Sequence, residues 1–145
     1  PPAIPFQTAV AQSSAPPRIA FSEDQNGFTA VEQDIRTVLR GAMDTVARAG
    51  AEVETACPEL PHLNDTYLAL RGLHYGAVTA RLPAEIRETY GQRLRDNVDY
   101  GLTQSLDAVY DAMTRRTRLY EIMRQFLQGY DVLAIPVVGI APAPV

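Results

Sequence analysis

RIAFSEDQNGFTAVEQDIRTVLRGAMDTVARAGAEVET, at positions 18–55, contains two short strand patterns on either side of a helix pattern. Residues 19–21 are apolar and run into a cluster of turn-forming residues, which predicts a first strand. Residues 51–56 alternate between apolar and polar side chains and are stopped by Pro58, which predicts a second strand. A helix lies between them, so we expect a βαβ unit with a right-handed crossover.

The helix pattern predicts an α-helix over residues 30–49. Thr29 and Glu32 have the spacing of a capping box, in which each side chain bonds the other residue's backbone N–H. Gly50 stands where a left-handed C-cap residue is expected. Apolar residues recur every three or four positions, which predicts one buried stripe; its members are Val31, Ile35, Val38, Leu39, Ala42 and Val46.

Residues 64–129 are predominantly helical in pattern. Asn64 or Asp65 can cap a first helix, Pro83 suits the first turn of a second helix that runs to about residue 97, and Thr103 can cap a third. The first helix carries Tyr67, Leu68, Leu70, Leu73 and Val78. The stripe of the third helix is Leu106, Val109, Tyr110, Met113, Thr117, Tyr120, Met123 and Leu127.

The last element is an uninterrupted apolar run at residues 132–138, which is typical of a strand buried on both faces. Pro136 has no N–H, so the strand should be irregular there or lie at an edge. The prediction is therefore an α/β fold: a βαβ unit, a run of helices and a final buried strand, with three strands and four helices in all. Such a thin sheet suggests part of a larger one. Residues 1–17 are rich in proline and are expected to form a linker without helix, so that the folded part spans residues 18–145.

Composition excludes several classes of function. All 13 basic residues are arginine and none is lysine, so the chain alone cannot supply a Schiff base, a P-loop lysine or a Ser–Lys catalytic pair. The net charge of −4 argues against nucleic-acid binding. No apolar run approaches the roughly 18 residues of a membrane span, so we expect a soluble, cytoplasmic protein that does not bind membranes. The first residues, which contain neither Met nor a signal pattern, suggest a piece of something longer.

Candidate nucleophiles are few. Ser13 and Ser14 form a tandem serine, but Pro16 and Pro17 follow where an oxyanion site needs backbone donors, so a linker is the favoured interpretation. Cys57 is the only cysteine; it could act with His62 or His74, but a buried structural thiol is favoured. We expect no metal site, because the two histidines have no third ligand at a recognised spacing.

Two charged segments allow a ligand. Residues 23–27 follow the first strand, where α/β folds place ligands, although an Asx turn leading into the helix explains them better. The last helix of the 64–129 region carries four arginines, Arg115, Arg116, Arg118 and Arg124. They could form an anion site, but the acids interleaved with them favour a solvated helix face. Tyrosines are expected in the core or at interfaces, namely Tyr75, Tyr90, Tyr100, Tyr110, Tyr120 and Tyr130.

Three stretches resemble the C-terminal region of amidase-signature enzymes, a family that includes the A subunit of glutamyl-tRNA amidotransferase. Residues 17–22 resemble the short strand after a proline-rich connection in that family. Residues 46–54 resemble its Gly-Ala-x-Val-Glu junction. Residues 130–136 resemble its (aromatic)-Asp-x-Leu-x-x-Pro strand, with Val137 where the family often has threonine.

The resemblance implies the C-terminal part of a hydrolase acting on small amides through their C–N bonds, with a serine nucleophile, a second serine and a lysine base. No residue of this chain matches that machinery, so no catalytic residue is assigned, no cofactor is expected, and the chain alone should be inactive. It would complete the fold and the substrate pocket, and could contribute to a homodimer. The alternatives are a free-standing α/β interaction module and a part of the amidotransferase subunit.

Overall fold

The chain forms six helices and three strands within residues 4–12 and 16–141, which are the residues that the computed structural model describes. The helices are α1 (Phe6–Gln12), α2 (Gln33–Arg48), α3 (Leu63–Thr79), α4 (Ala84–Glu88), α5 (Gln92–Leu102) and α6 (Leu106–Phe126), and the strands are β1 (Arg18–Phe21), β2 (Glu52–Thr55) and β3 (Val132–Ala134). The predicted α/β class is confirmed. The chain divides into a sheet unit, residues 1–58 and 126–145, and a helical unit, residues 59–125.

The sheet has the order β2-β1-β3, and both pairings are parallel. Ile19 of β1 lies opposite Val53 on one side and opposite Val132 on the other. β1 is the buried strand, since Ile19, Ala20 and Phe21 are at most 8% exposed. The parallel β1–α2–β2 unit is as predicted, and its right-handed crossover remains a prediction.

The final strand differs from its prediction. β3 ends at Ala134, two residues before Pro136, and lies at one edge of the three-stranded sheet. It is partly exposed rather than buried on both faces. The apolar run predicted a central strand, but β1 holds the central position, and beyond β3 Val137 is 98% exposed. The irregularity expected at Pro136 is confirmed, because the strand stops before it.

Helix α2 begins three residues later than predicted because the capping box does not form. The N–H of Glu32 donates to the carbonyl oxygen of Gly139 at 2.8 Å, and the Glu32 carboxylate accepts the N–H of Ala141 at 3.1 Å. The groups expected to close the cap therefore hold the segment after β3 against the start of the helix. The buried stripe is also weaker than predicted, since no residue of α2 is fully buried and Val38 is 71% exposed.

The C-terminal end of α2 is as predicted. Gly50 has φ of +106° and follows the C-cap residue Ala49. The N–H of Ala51 donates to Val46 at 3.3 Å and that of Gly50 to Ala47 at 2.9 Å. These two bonds form a Schellman motif, which turns the chain sharply into β2.

Part of the proline-rich N-terminal region is helical, contrary to expectation. Its prolines stand at both ends, and α1 occupies the proline-free stretch that begins just after Pro5. Proline hinders a helix from its interior but not from the position before the first turn, which explains why the composition was misleading. The assignment of residues 1–17 as a linker is otherwise untested.

The helices between β2 and β3 are four rather than three. α3 begins at Leu63 without a side-chain cap from Asn64 or Asp65. The predicted second helix is split into α4 and α5 at Gly91, whose extended backbone (φ −62°, ψ 153°) starts α5. α6 is capped by Ser105, whose Oγ accepts the N–H of Ala108 at 3.1 Å, and not by Thr103.

Small residues, not the predicted apolar stripe, make the contact between α3 and α5. The fully buried residues of α3 are Thr66, Ala69, Gly72, Gly76 and Thr79, and those of α5 are Val98 and Gly101. The two backbones approach so closely that a Cβ atom added at Gly72 would lie 2.9 Å from the Cα of Gly101. Only glycine fits this crossing.

The apolar residues predicted along α3 and α6 do not form buried stripes. Ala112 is the only fully buried residue of α6. Large side chains of the predicted stripes are exposed by 39–89%, among them Tyr67, Leu73, Val78, Leu106, Tyr110, Met113, Tyr120 and Leu127. None of the six tyrosines expected in the core or at an interface is fully buried within the described structure, so the core assignment is wrong and the interface assignment is untested.

The glycine crossing makes a testable prediction. Gly101→Ala would bring a Cβ into overlap with the carbonyl group of Gly72, so we expect the free energy of unfolding to fall by about 3 kcal/mol, the upper range for overpacking. The measurement is the urea midpoint.

Gly41→Ala is the matched control. Gly41 also lies inside a helix, but no heavy atom lies within 4 Å of the added Cβ, so the change should raise stability by about 0.5–1 kcal/mol. Equal effects of the two substitutions would contradict the close crossing.

Candidate functional site

The carboxyl ends of the parallel strands mark the first candidate site, because ligands of open α/β sheets bind at that edge. A cavity of about 200 Å³ lies there. It is bordered by the last residues of β1 and β2, Phe21 and Thr55, and by the loop that follows β1. This is the location that the sequence indicated for residues 23–27.

Side chains close that loop. The Asp24 carboxylate accepts the N–H of Gly27 at 3.0 Å, and Ser22 Oγ accepts the N–H of Gln25 at 3.0 Å. Gln25, Asn26 and Gly27 have φ of 55°, 57° and 77°, values that Asn and Gly adopt more readily than other residues. The Asp24 side chain does close a turn, but it accepts the N–H three residues on rather than two, as the predicted Asx turn would, and the turn does not lead into a capping box.

Charged side chains in this loop are paired with α2. Arg36 Nη1 lies 3.3 Å from Glu23 Oε2 and 3.1 Å from Asp24 Oδ2. Arg40 reaches Glu23 with two nitrogens, one of them 2.7 Å from Oε2. The hydrogen bond from Arg40 lowers the pKa of Glu23, and the hydrogen bond from the Gly27 N–H, followed by that from Arg36, lowers the pKa of Asp24.

This arrangement fixes a loop rather than opening a binding site. The cavity is smaller than the roughly 300–1,000 Å³ of most small-molecule sites, and the charges along it are bonded to each other. A further bond, from Asn26 Nδ2 to the carbonyl oxygen of Cys57 at 3.2 Å, joins the loop to the chain after β2. The edge of the sheet is therefore shaped and held by its own side chains.

The remaining sequence candidates are two serines, one cysteine and two histidines. Ser13 and Ser14 lie outside the described residues. Cys57 is half-buried and belongs to the sheet unit, whereas both candidate histidines belong to the helical unit. His74 packs edge-on against Tyr75, with ring centroids 5.7 Å apart. His62 is exposed, and its Nδ1 lies 3.9 Å from Asp65 Oδ2.

The four arginines of α6 do not share one environment. Arg124 pairs with Glu121 at 2.8 Å, as a solvated helix face would. Arg115 and Arg118 instead line a cavity of about 360 Å³ together with His62. Arg116, Arg118 and Arg124 are exposed, as a solvated face would have them, whereas Arg115 is half-buried.

A larger cavity, of about 460 Å³, lies in the helical unit and was not predicted. It lies where α3, α4 and α5 meet, and its lining includes Arg87, Tyr90 and Arg95. α4 and α5 are separated at Gly91, whereas the sequence pattern predicts one continuous helix there. An isolated glycine within a helical pattern was the available signal.

No helix in the described part of the chain is both long and apolar enough to cross a membrane. Within residues 4–12 and 16–141, no three His, Cys, Asp or Glu side chains are grouped so that they could hold a metal ion.

No protein-family model matches the sequence, and no curated protein is detectably similar to it. Solved structures do match. A bacterial aryl acylamidase of the amidase-signature family superposes with a TM-score of 0.74 and 20% identity over 95% of this chain. The chain has the fold of part of an amidase-signature enzyme.

Two more solved structures agree. An amidase superposes with a TM-score of 0.76 and 17% identity over 92% of this chain, and a 6-aminohexanoate cyclic dimer hydrolase in complex with substrate does so with a TM-score of 0.76 and 16% identity over 97%. The chain spans only 30–31% of the length of these three proteins. The resemblance to amidase-signature enzymes is confirmed for the fold.

The ion pairs of Glu23 predict a dependence of stability on pH. Because the pKa of Glu23 is lowered in the folded protein, its pairs stabilise the fold above the ordinary carboxylate pKa of about 4.3 and are lost as the pH falls through the lower folded value. We expect Glu23→Gln to be less stable than wild type at pH 7, and the difference to shrink at pH 3. Urea midpoints at the two pH values measure it.

Glu85→Gln serves as the control, since Glu85 is an exposed acid in the first turn of α4 that makes no ion pair within the described structure. Its stability should stay close to that of wild type at pH 7. A Glu23→Gln deficit that persists unchanged at pH 3 would show that the pairs do not act through charge.

Proposed function

We propose that this chain is the C-terminal part of an amidase-signature hydrolase that cleaves the C–N bond of a small, non-peptide amide. The supporting observation is the superposition of 92–97% of the chain on three solved amide hydrolases. The order of the sequence motifs at residues 17–22, 46–54 and 130–136 supports the same family. A cytoplasmic enzyme that needs no cofactor is part of the proposal.

The catalytic serines and lysine belong to another part of the protein in this proposal. The chain has no lysine, and a serine nucleophile needs an adjacent base. Its contribution is structural: β1 and β2 present the edge at which α/β folds bind ligands, and the Glu23–Arg36–Arg40 pairs hold the loop at that edge. The chain thereby supplies one wall of the substrate pocket.

The test is a comparison of this chain with the natural product of its gene. The natural protein should hydrolyse an aryl acylamide such as 4-nitroacetanilide, or the cyclic dimer of 6-aminohexanoate, and the 145-residue chain alone should hydrolyse neither. A fluorophosphonate probe, which labels activated serines, should modify the natural protein outside these residues. Hydrolysis by the purified chain, or labelling of one of its own serines, would contradict the proposal.

Two other functions give different results in the same experiment. A free-standing interaction module would have a natural product of this length, with no lysine by mass spectrometry and no serine labelling. An amidotransferase subunit would require partner subunits and aminoacylated tRNA before any amide chemistry is seen.

The open edge of the sheet supports the view that a larger sheet continues there. β3 is an edge strand, and the segment after it exposes Val137 by 98%, Val138 by 59% and Ile140 by 67%. Glu32 holds this segment in place through Gly139 and Ala141. Edge strands and exposed apolar patches of this kind associate with other polypeptide.

The isolated chain should therefore self-associate through this edge. Sedimentation velocity over a range of concentrations should show oligomers, and Val137→Asp should reduce them. Val38→Asp is the matched control, because Val38 is a 71% exposed valine on α2. A chain that stays monomeric, or an equal effect of the two substitutions, would exclude association at this edge.

A further inference from the structure

The cavity of about 360 Å³ in the helical unit has a lining of two kinds. Arg115 and Arg118, three residues apart and therefore on one face of α6, contribute positive charge. Pro61 and Leu119 contribute apolar surface, and His62 completes the lining. A cationic face beside an apolar one, in a cavity of this volume, suits a small amphiphilic anion.

The two guanidinium groups have no carboxylate partner among the described residues. Of the neighbouring acids on α6, Glu121 is already paired with Arg124 at 2.8 Å. The Nε of Arg115 is buried and has no hydrogen-bond acceptor. Buried donors are normally satisfied by protein, water or a bound group, so an oxygen acceptor is missing at this position.

His62 has an unusual backbone conformation at the edge of the cavity. It has φ of 58° and ψ of 22°, which non-glycine residues seldom adopt. Its carbonyl oxygen accepts the N–H of Thr66 at 3.0 Å, which anchors it to the first turn of α3. His62 is thereby held at the lining of the cavity, where its ring can donate to an oxyanion.

We propose that this cavity binds a small organic carboxylate. The planar guanidinium groups of Arg115 and Arg118 can each donate two parallel hydrogen bonds to the two oxygens of a carboxylate, which a compact cation cannot do. The hydrocarbon part of the ligand would lie against Pro61 and Leu119. A phosphate would satisfy the arginines but leave the apolar wall uncovered. The site is independent of the proposed amide hydrolysis, because none of its residues belongs to the sheet edge.

The experiment measures binding of benzoate, benzamide and inorganic phosphate to the natural protein that contains this chain, by calorimetry at low ionic strength. Benzoate should bind saturably and more tightly than either of the other two. Arg118→Gln, a change at an exposed position, should weaken benzoate about tenfold, the effect of one lost charged hydrogen bond. Arg115→Gln should weaken it at least as much.

Arg116→Gln is the matched control, since Arg116 is an exposed arginine of the same helix that does not line the cavity; it should leave benzoate binding unchanged. Equal binding of benzoate and benzamide, tighter binding of phosphate, or equal loss in Arg116→Gln and Arg118→Gln would overturn the proposal. The assay measures binding and not amide hydrolysis. Its result therefore does not depend on whether the protein is an amide hydrolase.

Discussion

The sheet unit depends on the pairing of β1 on both sides. β1 is the one strand of the described sheet that is hydrogen-bonded to two neighbours, and its side chains are almost fully covered. Since β2 arrives through α2 and β3 arrives only after the helical unit, the sheet requires two distant parts of the chain to meet on one strand. The loop after β1, the ion pairs with α2 and the segment after β3 all take their positions from this pairing.

The helical unit depends on a different constraint, the absence of side chains where α3 crosses α5. Gly72 and Gly101 let the two backbones touch, and dispersion between closely packed atoms replaces the burial of large apolar residues there. Large side chains of α3 such as Tyr67, Leu73 and Val78 lie outside this crossing and are exposed. The surface of the chain is consequently rich in apolar groups, which is consistent with a part of a larger structure.

Sequence reasoning succeeded where local patterns decide the structure. The order and approximate positions of β1, α2 and β2 follow from periodicity, and the role of Gly50 follows from the need for positive φ. It failed where tertiary contacts decide, because the acceptor that displaces the Thr29–Glu32 capping box comes from Gly139, more than one hundred residues away in sequence. The small residues that α3 buries are present in the sequence, but the large apolar residues of the same helix obscure their spacing.

The candidate site was only partly accessible for the same reason. The position of residues 23–27 at the carboxyl end of β1 follows from topology, whereas the partners of Glu23 on α2 do not follow from sequence spacing. The different surroundings of Arg115 and Arg124 arise from what packs against each turn of α6. Charge counting along one helix cannot distinguish them.

The junction between β1 and β3 has a consequence for how such a protein can change over evolutionary time. The N–H of Arg18 donates to the Asp131 carboxylate at 2.7 Å, the N–H of Asp131 donates to the Arg18 carbonyl oxygen at 2.8 Å, and the Arg18 guanidinium lies 5.5 Å from the ring centroid of Tyr130. These contacts fasten the returning chain whatever lies between residues 56 and 131. Because the entropy of closing a loop rises by only about 0.6 kcal/mol for each doubling of its length, insertions and deletions among the helices should be tolerated. Homologous proteins that share this sheet can therefore differ in their helical segments while the strands keep the same register.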